Sequence, residues 1–256
     1  MDLSAATVVL TGATSGIGRA TAEALAPRVR RLIVHGPDPT ADVPAGATYV
    51  RADYGRLAEV VALARDIRSA TDRVDVLVDN AARPGPPART DSADGHEVTW
   101  QTNYLAPFAL TTLLAGHVGR VVNVASATHL SASLRLAAYS PSGAYARSKL
   151  ALVTYTCWLA DHLPPTATAA VSVHPGIIAT DLLHAMFSIG GDRPDRAAAA
   201  LLAVAAADGD NGTYYDERTP AAPNPVALRR DAQERLHRET AAALAGVIPA
   251  SIRKSG

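Results

Sequence analysis

The chain has 256 residues, 48% of them hydrophobic and 19% charged, with 24 Lys+Arg against 24 Asp+Glu. That length and apolar content provide for one sizeable core, and a net charge of +0 argues against nucleic acid or a membrane surface as partner, because both select a basic excess. A lone cysteine, Cys157, excludes an internal disulfide and any multi-cysteine metal cage, and its apolar helical surroundings mark it as a buried, inert thiol.

In chain order, short apolar runs alternate with helix-period segments. A buried strand is expected over 6–11 (ATVVLT), then a helix over 15–26 that Pro27 ends. Strands follow at 31–36 and 47–53, a helix over 56–70 with its apolar residues at helical spacing, and a strand at 74–80. A helix over 96–115, a strand at 119–126, a helix over 143–163 and a strand at 168–176 come next. A helix over 197–207, a short strand at 212–217 and a terminal helix over 226–245 complete the chain. Continuous apolar strands alternating with helices predict an α/β fold with a parallel sheet covered on both faces. No linker or repeat interrupts it, so a single domain is expected. Two loops stand out for length and composition, 82–95 (rich in Pro and Gly) and 127–143. No apolar run reaches the length of a membrane span, and the N-terminus enters a strand without a basic leader. Neither an anchor nor a signal peptide is expected, and the expected location is cytoplasmic.

Two local patterns carry chemistry. TGATSGIG (11–18) places Gly12, Gly16 and Gly18 between a strand and a helix, where glycines let backbone N–H groups approach a pyrophosphate at the positive helix end; a plain strand-to-helix turn is the alternative. Tyr145 stands four residues before Lys149, so both share one helix face. Taken alone, that pair is either a surface coincidence or a device for changing the acidity of a phenol. His35, His174 and His184 lack a tight ligand spacing and read as structural histidines, so no metal is expected.

The glycine turn followed by Tyr145-x-x-x-Lys149 resembles the short-chain dehydrogenase/reductase family. Further landmarks occur in the family's order along nearly the whole chain: Asp79-Asn80-Ala81-Ala82 for its NNAG, Asn103 for its helix asparagine, Ser126 for its catalytic serine, and Pro175-Gly176 with Thr180 for its PG-x-x-x-T segment. The resemblance implies a doubly wound Rossmann fold and an oxidoreductase acting on a CH–OH or C=O group with a nicotinamide cofactor. It assigns Asn103, Ser126, Tyr145 and Lys149 to catalysis. It assigns Gly12, Thr14, Ser15, Gly16, Ile17, Gly18, Gly36, Asp38, Asp53, Asn80, Ala81, Pro175, Gly176, Ile178 and Thr180, again with Tyr145 and Lys149, to the cofactor. A free tyrosine titrates near 10, and bringing it to about 7 requires roughly 4 kcal/mol, which a nearby ammonium and an oxidised nicotinamide would supply in a dry site. Ser126 would steady the substrate oxygen. Asn103 would hold a relay water unless it is simply paired with backbone; Thr180 would bind the carboxamide unless it only caps a short helix near Leu182; Asp53 would face the adenine unless it is a turn residue.

Tyr139 competes with Tyr145 but has Gly143, not lysine, four residues on, and Pro141 argues against a regular helix there. The residues between Ser126 and Tyr145 therefore read as an inserted loop. Asp79 and Ala82 depart from NNAG: the carboxylate needs donors, and Ala82 must avoid positive φ. Gly36 stands where an NAD enzyme would present an acid, which favours NADP over NAD, with Asp38 and Arg19 as nearby alternatives for hydroxyl or phosphate. Residues 177–194 are the expected lid, with Leu182, Leu183, Met186 and Phe187 as its apolar wall, joined by Leu130, Leu134, Leu136 and Tyr139 from the insert. The long insert and the C-terminal segment look closer to the retinol-dehydrogenase-type branch than to ketoacyl reductases, implying a lipophilic or polyketide-like small molecule. Helices 96–115 and 143–163 would form the face of a homodimer or homotetramer, as in relatives. Two other functions share the fold: a redox-neutral cyclase, dehydratase or epimerase, and a non-catalytic dinucleotide sensor, the latter disfavoured by an intact Ser126, Tyr145 and Lys149.

Overall fold

The computed structural model of the chain describes residues 1–164 and 166–249. One eight-stranded sheet runs in the order β3-β2-β1-β4-β5-β6-β7-β8. Its strands are β1 (Thr7–Leu10), β2 (Arg31–Gly36), β3 (Thr48–Arg51), β4 (Val74–Asp79), β5 (Val118–Val124), β6 (Ala169–His174), β7 (Tyr214–Asp216) and β8 (Thr219–Ala221). All neighbours pair parallel except β7 with β8. This is the doubly wound Rossmann arrangement, with the order reversing between β1 and β4, where such sheets open a crevice at their carboxyl ends.

The strands are apolar on both sides because both sides are covered. Val8, Leu10, Val76 and Val78 join the core beneath α1 (Gly16–Leu25) and α7 (Pro194–Ala206). Val9, Ile33 and Leu77 join the opposite core, beneath α2 (Leu57–Ala70), α4 (Ala106–Leu113), α5 (Pro141–Asp161) and α8 (Arg230–Ala243). Each fully buried Val or Leu stabilises the fold by about 1.5–3 kcal/mol. Two polar side chains interrupt β5: Asn123 donates its Nδ2 to Thr156 Oγ1 at 2.9 Å, and Arg120, 2% exposed, makes a two-pronged pair with Asp210, Nη1 to Oδ1 at 2.8 Å and Nη2 to Oδ2 at 2.6 Å.

Four local departures from the expected elements have physical causes. Helix α5 starts at Pro141 rather than after it, because proline at the first helical position needs no N–H and Ser140 Oγ caps Gly143 N at 3.2 Å. The segment expected as one helix over 96–115 is α3 (Val98–Trp100), a π-helical turn (Gln101–Leu105) and α4. Strand β8 had no alternating pattern to announce it. It forms a hairpin with β7 through Glu217, the one non-glycine with positive φ (53°) among the described residues, whose carboxylate is held by Arg196 at 3.0 Å. Ala82 accordingly avoids the left-handed region. Cys157 is half-buried rather than buried, and burial, followed by Asp161, pushes its thiol up to about 11, so it stays protonated.

Helix α8 lies along α5: the His237 ring stacks on Trp158 at 3.5 Å, and Leu236, Leu244 and Ile248 complete the core. Part of the α5 surface expected to meet another copy is thus taken by the chain itself. Among the described residues no helix is long and apolar enough to cross a membrane.

Candidate active site

A cleft of about 580 Å³ opens at the carboxyl ends of the strands. At one end is the glycine turn. Gly12 has φ +65°, and a Cβ there would lie 2.6 Å from Ala81 Cα. A Cβ on Gly18 would lie 1.9 Å from Gly12 O and 2.5 Å from Asn80 Nδ2. The turn is therefore clamped against β4, and Asn80 Nδ2 completes the clamp by donating to Thr11 O at 2.9 Å and Gly12 O at 3.0 Å. Ser15 stands at the N-cap of α1 without a side-chain capping bond, so the first backbone N–H groups of this ten-residue helix remain available to an anion. A pyrophosphate fits that cradle.

His35, at the end of β2, supports the turn from below. Gly12 N donates to its Nδ1 at 3.3 Å, its Nε2 lies 2.9 Å from Ala52 O, and its ring stacks on Tyr54 at 4.5 Å. Burial lowers its pKa to about 4, against smaller opposing effects of the Ala52 carbonyl and Asp53. Between about pH 6.5 and 4 the unfolded chain binds the proton that the folded chain refuses. The stability this residue carries is whole above about 6.5 and is lost as pH falls towards 4. Urea unfolding of the wild type is expected to lose about 2–3 kcal/mol more between pH 7 and 4.5 than that of His35→Gln; equal losses in the two proteins would refute the assignment.

At the other end of the cleft stand Ser126, Tyr145 and Lys149. Tyr145 is 6% and Lys149 2% exposed, and Lys149 Nζ lies 5.7 Å from the centre of the Tyr145 ring. Neither side chain points to solvent. Lys149 Nζ donates to Val124 O at 2.7 Å, its one hydrogen bond among the described residues. Burial pushes the Tyr145 phenol up to about 12, with Ser126 acting against it. The phenol is thus set by burial and by Ser126, not by the lowering expected from Lys149, and burial also makes the lysine itself less basic, with Asp79 opposing. Ser126 Oγ accepts from Thr128 N at 3.3 Å and from Thr128 Oγ1 at 3.1 Å, which caps the turn after β5 and leaves its own proton to donate.

Thr14, Ser15, Gly16, Ile17, Asp53, Asn80, Ala81, Pro175, Gly176, Ile178 and Thr180 also face this cleft. Thr180 lines the cleft, and its Oγ1 also caps α6 (Asp181–Met186) through Leu183 N at 3.3 Å, the alternative expected of it. Asp53 lines the cleft while its Oδ1 accepts from Gly55 N at 2.8 Å. Three expected residues lie elsewhere. Asn103 is buried in the π-helical turn. Its Oδ1 accepts from Arg83 N at 2.8 Å, and its Nδ2 donates to Arg83 O at 3.0 Å and Ser148 Oγ at 3.1 Å. Its amide therefore holds the loop after β4 and makes no bond to Lys149. Gly36 lies under Thr14, whose Cγ2 would be 2.3 Å from a Cβ, so no acid fits there. Asp38 is exposed and turned to Thr40, its Oδ1 accepting from Thr40 N and Oγ1 at 2.9 Å. Arg19 pairs with Glu23 and Asp42 at the surface. A cation that sequence reasoning missed stands beside the end of β2: Arg51, whose Nε donates to Pro37 O at 3.2 Å and whose Nη1 pairs with Glu59 Oε2 at 3.0 Å.

Leu182, Leu183, Met186 and Phe187 line the cleft as expected. The insert contributes Ala127 and Thr128 instead of Leu130, Leu134, Leu136 and Tyr139. Asn224 Nδ2 straps the insert by donating to three carbonyls, of His129, Leu130 and Ala132, at 3.0–3.2 Å; Leu130 is left exposed, Leu134 packs against the core, and Tyr139 donates to Pro86 O at 2.7 Å in the 82–95 loop. Tyr54, Arg83, Thr102 and His174 line the cleft without having been singled out for it; only the position of Tyr54 beside Asp53 and of Arg83 after Ala82 pointed that way.

Residues 6–188 match the family described as short chain dehydrogenase. Mouse (Mus musculus) retinol dehydrogenase 13 is 32% identical over 92% of this chain and 82% of its own length. DnrU of Streptomyces sp. (strain C5), a candidate daunorubicin C-13 ketoreductase, is 35% identical over 68% of this chain and 66% of its own. A Mycobacterium paratuberculosis protein of known crystal structure superposes with a TM-score of 0.76 at 28% identity, covering 94% of this chain and 95% of that one. With the family's motifs gathered in one cleft of the sheet that its members share, the chain belongs to the short chain dehydrogenase family of oxidoreductases.

Proposed function

We propose that the protein is an NAD(P)-dependent oxidoreductase that interconverts a ketone and a secondary alcohol on a lipophilic or polyketide-like small molecule, with Tyr145 as its acid–base. The burial of Tyr145 and Lys149 in the same cleft as the glycine turn carries this reading. A bound nicotinamide dinucleotide would supply or accept the hydride. The α1 N-terminus and the turn around Gly12 and Gly18 would hold its pyrophosphate, Asp53 would face its adenine, and Pro175, Gly176, Ile178 and Thr180 would flank its carboxamide end. Lys149, with N–H groups to spare, would hold the ribose hydroxyls. Ser126 Oγ donates to the substrate oxygen and steadies its negative charge. Tyr145 Oη gives that oxygen a proton in reduction and takes it back in oxidation.

The segment over 177–194 acts as the lid. Its two ends are tied by Ala179 N to Asp192 O and Asp192 N to Ile177 O, both 2.8 Å, so the loop between them moves on a fixed base and its apolar side chains exclude water. Those side chains, and relatives named for retinol and for a daunorubicin ketone, support a bulky lipophilic substrate. Gly36 without an acid and Arg51 beside Pro37 support NADP over NAD, since a guanidinium can hold the 2′-phosphate. Mixing the protein with NADPH or NADH and a panel of polycyclic and long-chain ketones should consume reduced cofactor, with the lower KM for NADPH. Cofactor that binds but is consumed with no ketone or alcohol would replace this reading with the redox-neutral or sensing one.

A further inference from the structure

A carboxyl group that the reaction above does not use lies beneath this site. Alternation along β4 sends Val76 and Val78 to the α1–α7 face and Leu77 to the opposite one, and Asp79 follows Leu77, meeting Thr111 of α4. Asp79 is 2% exposed; its Oδ2 accepts from Thr111 Oγ1 at 3.2 Å, and among the described residues its Oδ1 has no partner. Sheet register sets it beside Asn123 of β5, whose Oδ1 is equally unpartnered. The next residue of β5, Val124, supplies the carbonyl that receives Lys149 Nζ. A buried carboxyl and a buried ammonium therefore sit at the same end of adjacent strands, each short of hydrogen-bonding partners.

The titratable groups facing the pair are phenols: Tyr54 from the turn after β3, and Tyr145 and Tyr155 from α5. Burial raises all three, so they stay neutral. Among the described residues Asp79 is the one group whose charge favours the protonated lysine. We propose that Asp79 is the buried counter-charge that keeps Lys149 an ammonium and, through it, positions the acid–base chemistry of Tyr145. The first half stands independently of the reaction; the second rests on the function proposed above. Burial alone disfavours both charged forms, driving the carboxyl up and the ammonium down. Each charge offsets that cost for the other, so removing one leaves the other to face the low dielectric unaided.

The sequence allows a direct reading of the first half. It holds two lysines, Lys149 and Lys254, so the full chain labelled with ¹³C-lysine gives two Cε resonances, which Lys254→Arg assigns. In the wild type Lys149 should titrate below Lys254; in Asp79→Asn, which keeps the side-chain shape, its midpoint should fall further by at least about one pH unit. Thr111→Val, which removes the one donor to the carboxylate, should move it the same way by less, and decides the matter if Asp79→Asn does not fold by circular dichroism. An unmoved Lys149 midpoint in the folded variant overturns the proposal. The alkaline limb of the kcat profile for ketone reduction should move down with the NMR midpoint. A moved midpoint with an unmoved kcat profile retains the counter-charge and overturns its link to Tyr145. An enzyme that turns over nothing leaves the NMR comparison to judge Asp79 by itself.

Discussion

Tyr145→Phe is expected to lower kcat by about 10³-fold while cofactor affinity stays within about twofold, because proton transfer by a placed side chain contributes about 10²–10⁴ to rate. The phenylalanine keeps the ring in its buried place at the start of α5, so the fold is preserved; what disappears is the hydroxyl that faces the cleft beside Ser126. In the proposed reaction that hydroxyl trades its proton only as the substrate oxygen gains or loses charge, so the loss belongs in kcat and in kcat/KM together, not in KM alone. Initial rates followed by the absorbance of reduced nicotinamide, with affinity from the fluorescence of the same cofactor, separate the two. The buried phenol, held up at about 12, is a proton donor at neutral pH, which suits ketone reduction. Alcohol oxidation needs the phenolate and should accordingly quicken as pH rises. A Tyr145→Phe enzyme within fivefold of wild type would remove this residue from the mechanism.

How much of this was legible before the fold is a question of range. The glycine turn was, because its constraint is local: a strand, a tight turn and a helix need glycine at fixed offsets. Tyr145 and Lys149 were, because helical spacing alone puts them on one face. The sheet was, because strands buried on both sides are predominantly apolar, as β1, β5 and β6 are. What escaped depends on partners far along the chain. Asn103 pairs with Arg83, twenty residues away, and Tyr139 is drawn off the cleft by Pro86, fifty-three residues away. Arg120 reads as a flaw in an apolar strand until Asp210 is seen opposite it, ninety residues on. Strand β8 exists only because Glu217 accepts a left-handed backbone and Arg196 holds its carboxylate. The proline at 141 misled because the same residue ends a helix from inside and begins one from its first position. Asp79 was visible as a departure from the family's asparagine, but its nearness to Lys149 required the register of β4 on β5.

Gly18→Ala should cost the protein its cofactor. The new Cβ would sit 1.9 Å from Gly12 O, 2.5 Å from Asn80 Nδ2 and 2.8 Å from Gly12 C. Two of these three atoms are backbone, so no rotamer change relieves the clash; the turn must separate from α1 or from β4. Overpacking of this kind typically costs about 1–3 kcal/mol of stability, and more where backbone has to move. The larger effect falls on binding, because the displaced atoms are the ones that shape the pyrophosphate cradle, and a shift there misaligns the N–H groups at the helix end. Affinity for NADPH is expected to fall by at least about 100-fold, equal to about 2.7 kcal/mol, with a lowered unfolding midpoint. Gly246→Ala is the matched control: nothing lies within 4 Å of its Cβ and it is far along the chain from the lid and the cleft lining, so the same methyl group should leave both measurements unchanged. Titrating the fluorescence of NADPH with each variant makes the comparison. If Gly18→Ala binds as the wild type does, the cradle is not where the cofactor lies, and the roles given to Tyr145 and Lys149 at the other end of the same cleft lose their footing.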